Sequence, residues 1–179
     1  MCFAEKLKKS APSRIINVSS DSHTIGSVSG FEARARGRNL RIRTPMAIYA
    51  STKLAMCLFT IGLAERLKGT GVTVNSLHPG LVRTPIASHG SLAPKVVFYT
   101  AAYLKGKSSF EGAQTTIRLA VDPSLEETTG EYFDECAPAA ERYRNPQLKD
   151  RALVEEVFRV SLKLVNFDEK QLNSIVCAQ

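Results

Sequence analysis

The sequence predicts an α/β fold in which parallel strands are joined by a helical crossover, and three observations carry that prediction. Two short runs rich in β-branched residues, Arg14-Ile-Ile-Asn-Val18 and Val72-Thr-Val-Asn-Ser-Leu77, flank one long stretch of helix-forming residues. The strand-helix-strand unit fits within about 65 residues, a length at which two strands lie parallel through a right-handed connection. Both runs end in turn-forming residues, Ser19-Ser20-Asp21-Ser22 and His78-Pro79-Gly80. In a parallel sheet those two turns arrive at the carboxyl edge of the strands, where sites form.

Each element follows from its neighbours. Arg14 to Val18 is bounded by Pro12 and Ser13 before it and by serines and Asp21 after it, so it reads as a buried strand. From Ala47 to about Lys68 good helix formers run without an internal proline and stop at Gly69 and Gly71. Val72 to Leu77 is the second strand. Glu131-Tyr-Phe-Asp134, after the turn-like Thr128-Thr129-Gly130, is a third. Leu148 to Val165 alternates Leu153, Val157 and Leu164 with Lys149, Glu155, Glu156 and Arg159, the pattern of an amphipathic helix. With no internal repeat and no dividing linker, residues 1–179 are expected to form a single domain whose residues 148–179 are a terminal helix and tail.

Composition narrows the function classes. A chain of 179 residues, 44% hydrophobic and 23% charged, is neither disordered nor fibrous. Of the net charge of +7, Arg34, Arg36, Arg38, Arg41 and Arg43 supply +5, which leaves +2 for all the rest. The basicity is a local patch, expected as a solvated loop, with an anionic membrane surface as its next reading and nucleic acid last, because no aromatic residues are interleaved. Cys2, Cys57, Cys136 and Cys177 form no Cys-x-x-Cys pair, and His23, His78 and His89 share no ligand spacing, so reduced thiols and no metal site are expected. The start, MCFAEKLKKSAP, alternates apolar and charged residues too quickly for a secretory apolar core, and no window of about 18 apolar residues is expected to span a membrane. An intracellular, reducing location and a soluble chain are the expectations.

The chemistry lies in Tyr49-Ala-Ser-Thr-Lys53, at the head of the long helix. Side chains at i and i+4 stand one turn apart on one face. A phenol of pKa near 10 needs roughly 4 kcal/mol of preferential stabilisation of its anion to work as a base near neutrality. One ammonium about 5 Å away, at an effective dielectric of about 20, contributes on the order of 3 kcal/mol. Such a tyrosine donates a proton to a carbonyl oxygen in reduction or removes one from an alcohol in oxidation. Ser20, at the edge of the first strand, is the hydroxyl placed to hold the substrate oxygen.

Read in order, Asn17-Val-Ser-Ser20, Tyr49-Ala-Ser-Thr-Lys53 and Asn75-Ser-Leu-His-Pro-Gly80-Leu-Val-Arg-Thr84 resemble the short-chain dehydrogenase/reductase family, within it the retinol dehydrogenase branch. Ala64-Glu-Arg-Leu-Lys-Gly-Thr-Gly-Val72, Glu111-Gly-Ala-Gln114 and Gly130-Glu-Tyr-Phe133 carry the same likeness, which runs from about Leu7 to Val165. The resemblance implies a Rossmann-like, doubly wound parallel sheet. It assigns Tyr49 as general acid/base, Lys53 as the residue that tunes it and holds the nicotinamide ribose, and Ser20 as the group that orients the carbonyl. Pro79 and Gly80 would pass under the nicotinamide, with Val82 and Thr84 at its carboxamide. It further implies NADP(H) ahead of NAD(H), a retinoid or similar hydrophobic alcohol or aldehyde as substrate, and Val96-Val-Phe-Tyr99 beside a greasy pocket. A homodimer through the 47–68 helix, and endoplasmic-reticulum membrane association through an anchor outside this sequence, belong to the same set of implications.

One part of the family pattern is missing. None of the eleven glycines forms the Gly-x-x-x-Gly-x-Gly turn that receives a cofactor pyrophosphate. The fold expected is therefore the C-terminal half of such a sheet, lacking the N-terminal glycine-rich unit, with Met1 to Lys9 as the remnant of a preceding helix. The first strand then becomes an open edge that can pair with another chain, and a catalytically silent interaction fragment is the alternative function. Gly106-Lys107-Ser108 has no P-loop glycine at the required place and reads as a helix-ending loop, and Gly26-Ser-Val-Ser-Gly30 lacks the central serine of a nucleophile elbow.

Overall fold

The computed structural model describes residues 3–38, 44–84, 103, 105–167 and 171. In chain order the main elements are α1 (Phe3–Lys9), β1 (Ser13–Val18), a 3-10 turn Asp21–Ile25, α2 (Phe31–Ala35), α3 (Pro45–Arg66), β2 (Val72–Leu77), α4 (Ser109–Val121), β3 (Tyr132–Asp134), β4 (Ala137–Pro138) and α5 (Arg151–Leu164). The four strands form one sheet in the order β1-β2-β3-β4. β1 and β2 pair in parallel from Ser13 opposite Val72 to Val18 opposite Leu77, β3 joins β2 in parallel, and β4 returns antiparallel.

The sheet carries helices on both faces, and β1 shows how the sequence arranges it. Ile15 packs with Ala64, Leu67, Val72 and Val74 beneath α3. Its neighbour Ile16, pointing the other way, meets Leu77, Leu119 and Phe133 on the side of α4. β2 is buried at all six positions, as befits a central parallel strand, whereas β1 is only half-buried. Among the described residues β1 is the edge strand, as expected, and its Val18 is 45% exposed.

α3 is the axis of the fold. By length and composition it is apolar enough to cross a membrane, which corrects the expectation that no window of about 18 apolar residues exists. Here its apolar faces are used inside the protein. Leu54 and Leu58 pack with Val154 and Val157 of α5, and Ala64 lies against the sheet. The two helices meet closely at Gly62, where a Cβ would lie 3.0 Å from Phe158. Phe158 is fully buried, stacked on Phe59 at 5.1 Å and covered by the Arg66 guanidinium at 3.9 Å.

Helix limits are set by caps. α3 starts two residues earlier than Ala47 because Thr44 Oγ1 accepts from the Ala47 amide and Pro45 takes the first helical position. α5 begins at Arg151, not Leu148, because Asp150 accepts from the Ala152 and Leu153 amides after a 3-10 turn at Pro146–Lys149. Ser108 corrects the reading of Gly106-Lys107-Ser108: it begins a helix. Ser108 and Glu111 form a reciprocal capping box that opens α4, an element the sequence reading did not include. Of the arginine cluster, Arg34 donates to the Ser27 carbonyl at 3.0 Å and Arg36 pairs with Glu32 at 3.2 Å. Arg41, Arg43 and the Val96–Tyr99 segment lie outside the described residues.

Candidate active site

Three chain segments converge at the carboxyl edge of the sheet. β1 delivers two serines that face opposite ways. Ser19 turns inward, donating to the Lys53 carbonyl at 2.9 Å and accepting from Cys57 Sγ at 3.1 Å. Burial pushes the Cys57 thiol pKa up, which keeps this contact neutral. Ser20, also buried, lines the cleft described below and caps the Asp21–Ile25 turn, accepting from the Ser22 amide at 3.2 Å. Asn17, on the strand itself, donates to Thr60 Oγ1 at 2.8 Å beneath α3.

α3 delivers Tyr49 and Lys53 within its first three turns. Lys53 Nζ donates to the Val18 carbonyl at 3.0 Å and stands 5.6 Å from the centre of the Tyr49 ring. The end of β1 thus fixes the ammonium behind the phenol. β2 delivers the third segment, in which Gly80 adopts a left-handed φ of +84°. That backbone disfavours a side chain there, and a Cβ would lie 2.9 Å from Cδ of the flexible Lys107 chain. Val82 bridges to Lys107 and is pressed by α4, since a Cβ on Gly112 would come within 2.5 Å of its Cγ2.

Between the segments lies a cleft of about 560 Å³, lined by Ser20, Tyr49, Pro79, Gly80, Val82 and Thr84 together with Asp21, Met46, His78 and Leu81. Every site residue expected from the sequence except Lys53 lines it, and Lys53 stands behind Tyr49. Sequence reasoning missed three contributors. Asp21 accepts from Ser20 Oγ at 3.0 Å, and its other oxygen lies 3.9 Å from His78 Nε2. Buried Asn145 holds the loop that carries Asp21, its amide reaching the carbonyls of His23, Thr24 and Gly26 at 2.8, 3.1 and 3.1 Å. Its signal was an asparagine before proline, a turn pattern that says nothing of a partner more than a hundred residues away.

His23 lies under the same loop, fully buried, with Nδ1 2.8 Å from the Ser20 carbonyl and its ring 4.3 Å from that of Tyr132. Facing a carbonyl, Nδ1 carries the proton. Burial, the largest influence, lowers the His23 pKa below the ordinary 6.5, and it also holds the Tyr132 phenol protonated. The unfolded chain therefore takes up a proton at a higher pH than the folded chain. Stability is expected to be full above about pH 6.5 and to fall as the pH drops from there toward the lower folded value. Urea midpoints measured from pH 7.5 to 5 check it, since a His23→Gln variant should lose that part of the slope.

The short chain dehydrogenase family model matches residues 37–93. Human retinol dehydrogenase 12 is 36% identical over 161 residues, 90% of this chain and 48% of that protein. Human retinol dehydrogenase 13 is 37% identical over 171 residues, 92% of this chain and 49% of that one. Mouse retinol dehydrogenase 14 is 37% identical over 161 residues, covering 89% and 46% respectively. The chain spans about half the length of the curated relatives it matches. A solved structure of an uncharacterised protein from Mycobacterium paratuberculosis shares the fold with a TM-score of 0.57 at 23% identity, over 87% of this chain and 51% of that one.

Proposed function

We propose an oxidoreductase role for this chain, whose sequence is that of the short-chain dehydrogenase/reductase family in its retinol dehydrogenase branch. The reaction is hydride transfer between NADP(H), or NAD(H), and a retinoid or similar hydrophobic alcohol or aldehyde. One observation supports this reading above the others: Ser20, Tyr49 and the Pro79–Thr84 turn share one cleft, with an ammonium fixed one helical turn behind the phenol.

The geometry supports a division of labour. Tyr49 gives its proton to the substrate oxygen in reduction and takes it back in oxidation. Lys53, tied to Val18, is the cation that favours the negative oxygen left behind. Ser20 hydrogen-bonds the same substrate oxygen and keeps it in line with the phenol. A nicotinamide cofactor, when bound, supplies or accepts the hydride. Pro79 and Gly80 line the cleft where a flat ring would lie, with Val82 and Thr84 beside them. The residues of this chain fit the nicotinamide and ribose end alone, because no glycine-rich turn for the phosphates occurs in the sequence.

The open edge of β1 favours a second reading, a catalytically silent module that associates through that edge or through α3. Titration with NADPH and with NADH separates the two. Saturable binding, followed by aldehyde-dependent oxidation of the bound nucleotide, is the expected result for the enzyme. No saturation by either nucleotide at millimolar concentration would remove it in favour of the module.

A further inference from the structure

The hydrogen bonds of Ser20 give the cleft a preference between the two substrate oxidation states. A carboxylate oxygen only accepts, so on the 3.0 Å line between Ser20 Oγ and Asp21 Oδ1 the proton belongs to Ser20. Ser22 Oγ, 3.1 Å from Ser20 Oγ, is the alternative acceptor, and its own hydroxyl reaches Asp21 Oδ1 at 3.5 Å. Either arrangement keeps the serine proton on the Asp21 side. The Ser22 amide occupies one of the two lone pairs of Ser20. What remains for a molecule in the cleft is an acceptor. Asp21 is itself 73% exposed, and its second oxygen lies 3.9 Å from His78 Nε2 in the same cleft wall.

We infer that Asp21 is a positioning residue that sets the cleft to receive a hydroxyl rather than a carbonyl. With the Tyr49 phenol protonated, an alcohol accepts from it and donates its own O–H to the waiting lone pair of Ser20. An aldehyde oxygen also accepts from the phenol, but it gains a second donor from Ser20 only by breaking the bond to Asp21. The inference rests on the cleft being the alcohol and carbonyl site proposed above, and Asp21 acts on it through Ser20.

The test is an equilibrium binding measurement without nucleotide, so that no turnover occurs. All-trans-retinol and all-trans-retinal are each titrated against the full chain, as wild type and as Asp21→Ala. The wild type is expected to bind the alcohol more tightly. Asp21→Ala is expected to move the ratio of the two dissociation constants toward the aldehyde by about fivefold, a modest effect for a charge-assisted bond because the carboxylate is exposed. Asp21→Asn, which keeps an acceptor without the charge, falls between and guards against a folding artefact. In a Ser20→Ala background the Asp21→Ala shift disappears, which a merely structural role for Asp21 would not produce. A ratio unmoved by Asp21→Ala, or moved equally without Ser20, overturns the inference and leaves the cleft reading intact. If neither retinoid binds the wild type, the cleft reading falls, and the inference with it.

Discussion

Replacing Tyr49 by phenylalanine is expected to lower the rate of carbonyl reduction about a thousandfold, the middle of the range for a positioned general acid. The substitution deletes one oxygen and keeps the ring, so the contact with Lys53 at 5.6 Å retains its aromatic partner. Tyr49 is 37% exposed and contributes little to the core, so the stability should stay within about 0.5 kcal/mol of wild type. Nucleotide affinity should change far less than the rate. Single-turnover oxidation of bound NADPH by retinal reads the chemical step directly, and a Y49F variant as fast as wild type would show that the phenol carries no proton. Lys53→Met is the companion variant, and it should also loosen the end of β1, because Val18 then loses its ammonium partner.

Gly26→Ala is expected to cost roughly 3 kcal/mol, at the upper end for a single added methyl, because nothing around it can move aside. A Cβ at Gly26 would lie 2.5 Å from the Ala50 carbonyl oxygen and 3.0 Å from Leu54 Cβ, so the obstacle is helix backbone and not a flexible side chain. From the opposite side the Gly26 carbonyl is held by Asn145 at 3.1 Å and by Gln147 at 3.2 Å, while its own amide is bonded to His23 at 3.0 Å. The φ of Gly26 is −71°, which any residue adopts, so the penalty is steric alone. The site should suffer with the stability. Ala50 follows Tyr49 in the chain, and pushing that turn of α3 away widens the gap between the phenol and Ser20. Urea denaturation gives the first effect and retinoid affinity the second. A loss below about 1 kcal/mol would mean that the helix can retreat from the loop.

Most of the framework could be read from the residues because it depends on local patterns. β-branched runs closed by serine or Pro-Gly turns fixed β1 and β2 to within one residue, and an unbroken series of helix formers fixed α3 to within two. The pairing of Tyr49 with Lys53 was equally legible, since helical spacing alone makes them neighbours. α4 was missed although its Ser-x-x-Glu capping box is a local signal. Ser108 reads as part of a helix-ending loop because Gly106-Lys107-Ser108 is weighed only as a P-loop end, which fails at Ala101. What no local pattern reveals is which distant group meets which. Asn145 seizing the loop at 23–26, Gly112 pressing on Val82, and the orphaned Nδ1 of His78 and Nε2 of His23 depend on how the whole chain folds back. Asp21 was visible in the sequence only as a turn residue, although it lines the same cleft as Ser20.

The grip of Asn145 on the residues after β1 has a consequence for biosynthesis. A ribosome exposes Ser20 and Tyr49 long before it has made the amide that fastens the turn between them. Until that late asparagine leaves the exit tunnel, the pieces of the cleft exist without their arrangement. A nascent chain arrested ahead of residue 145 should present the loop to protease, and the released chain of residues 1–179 should not.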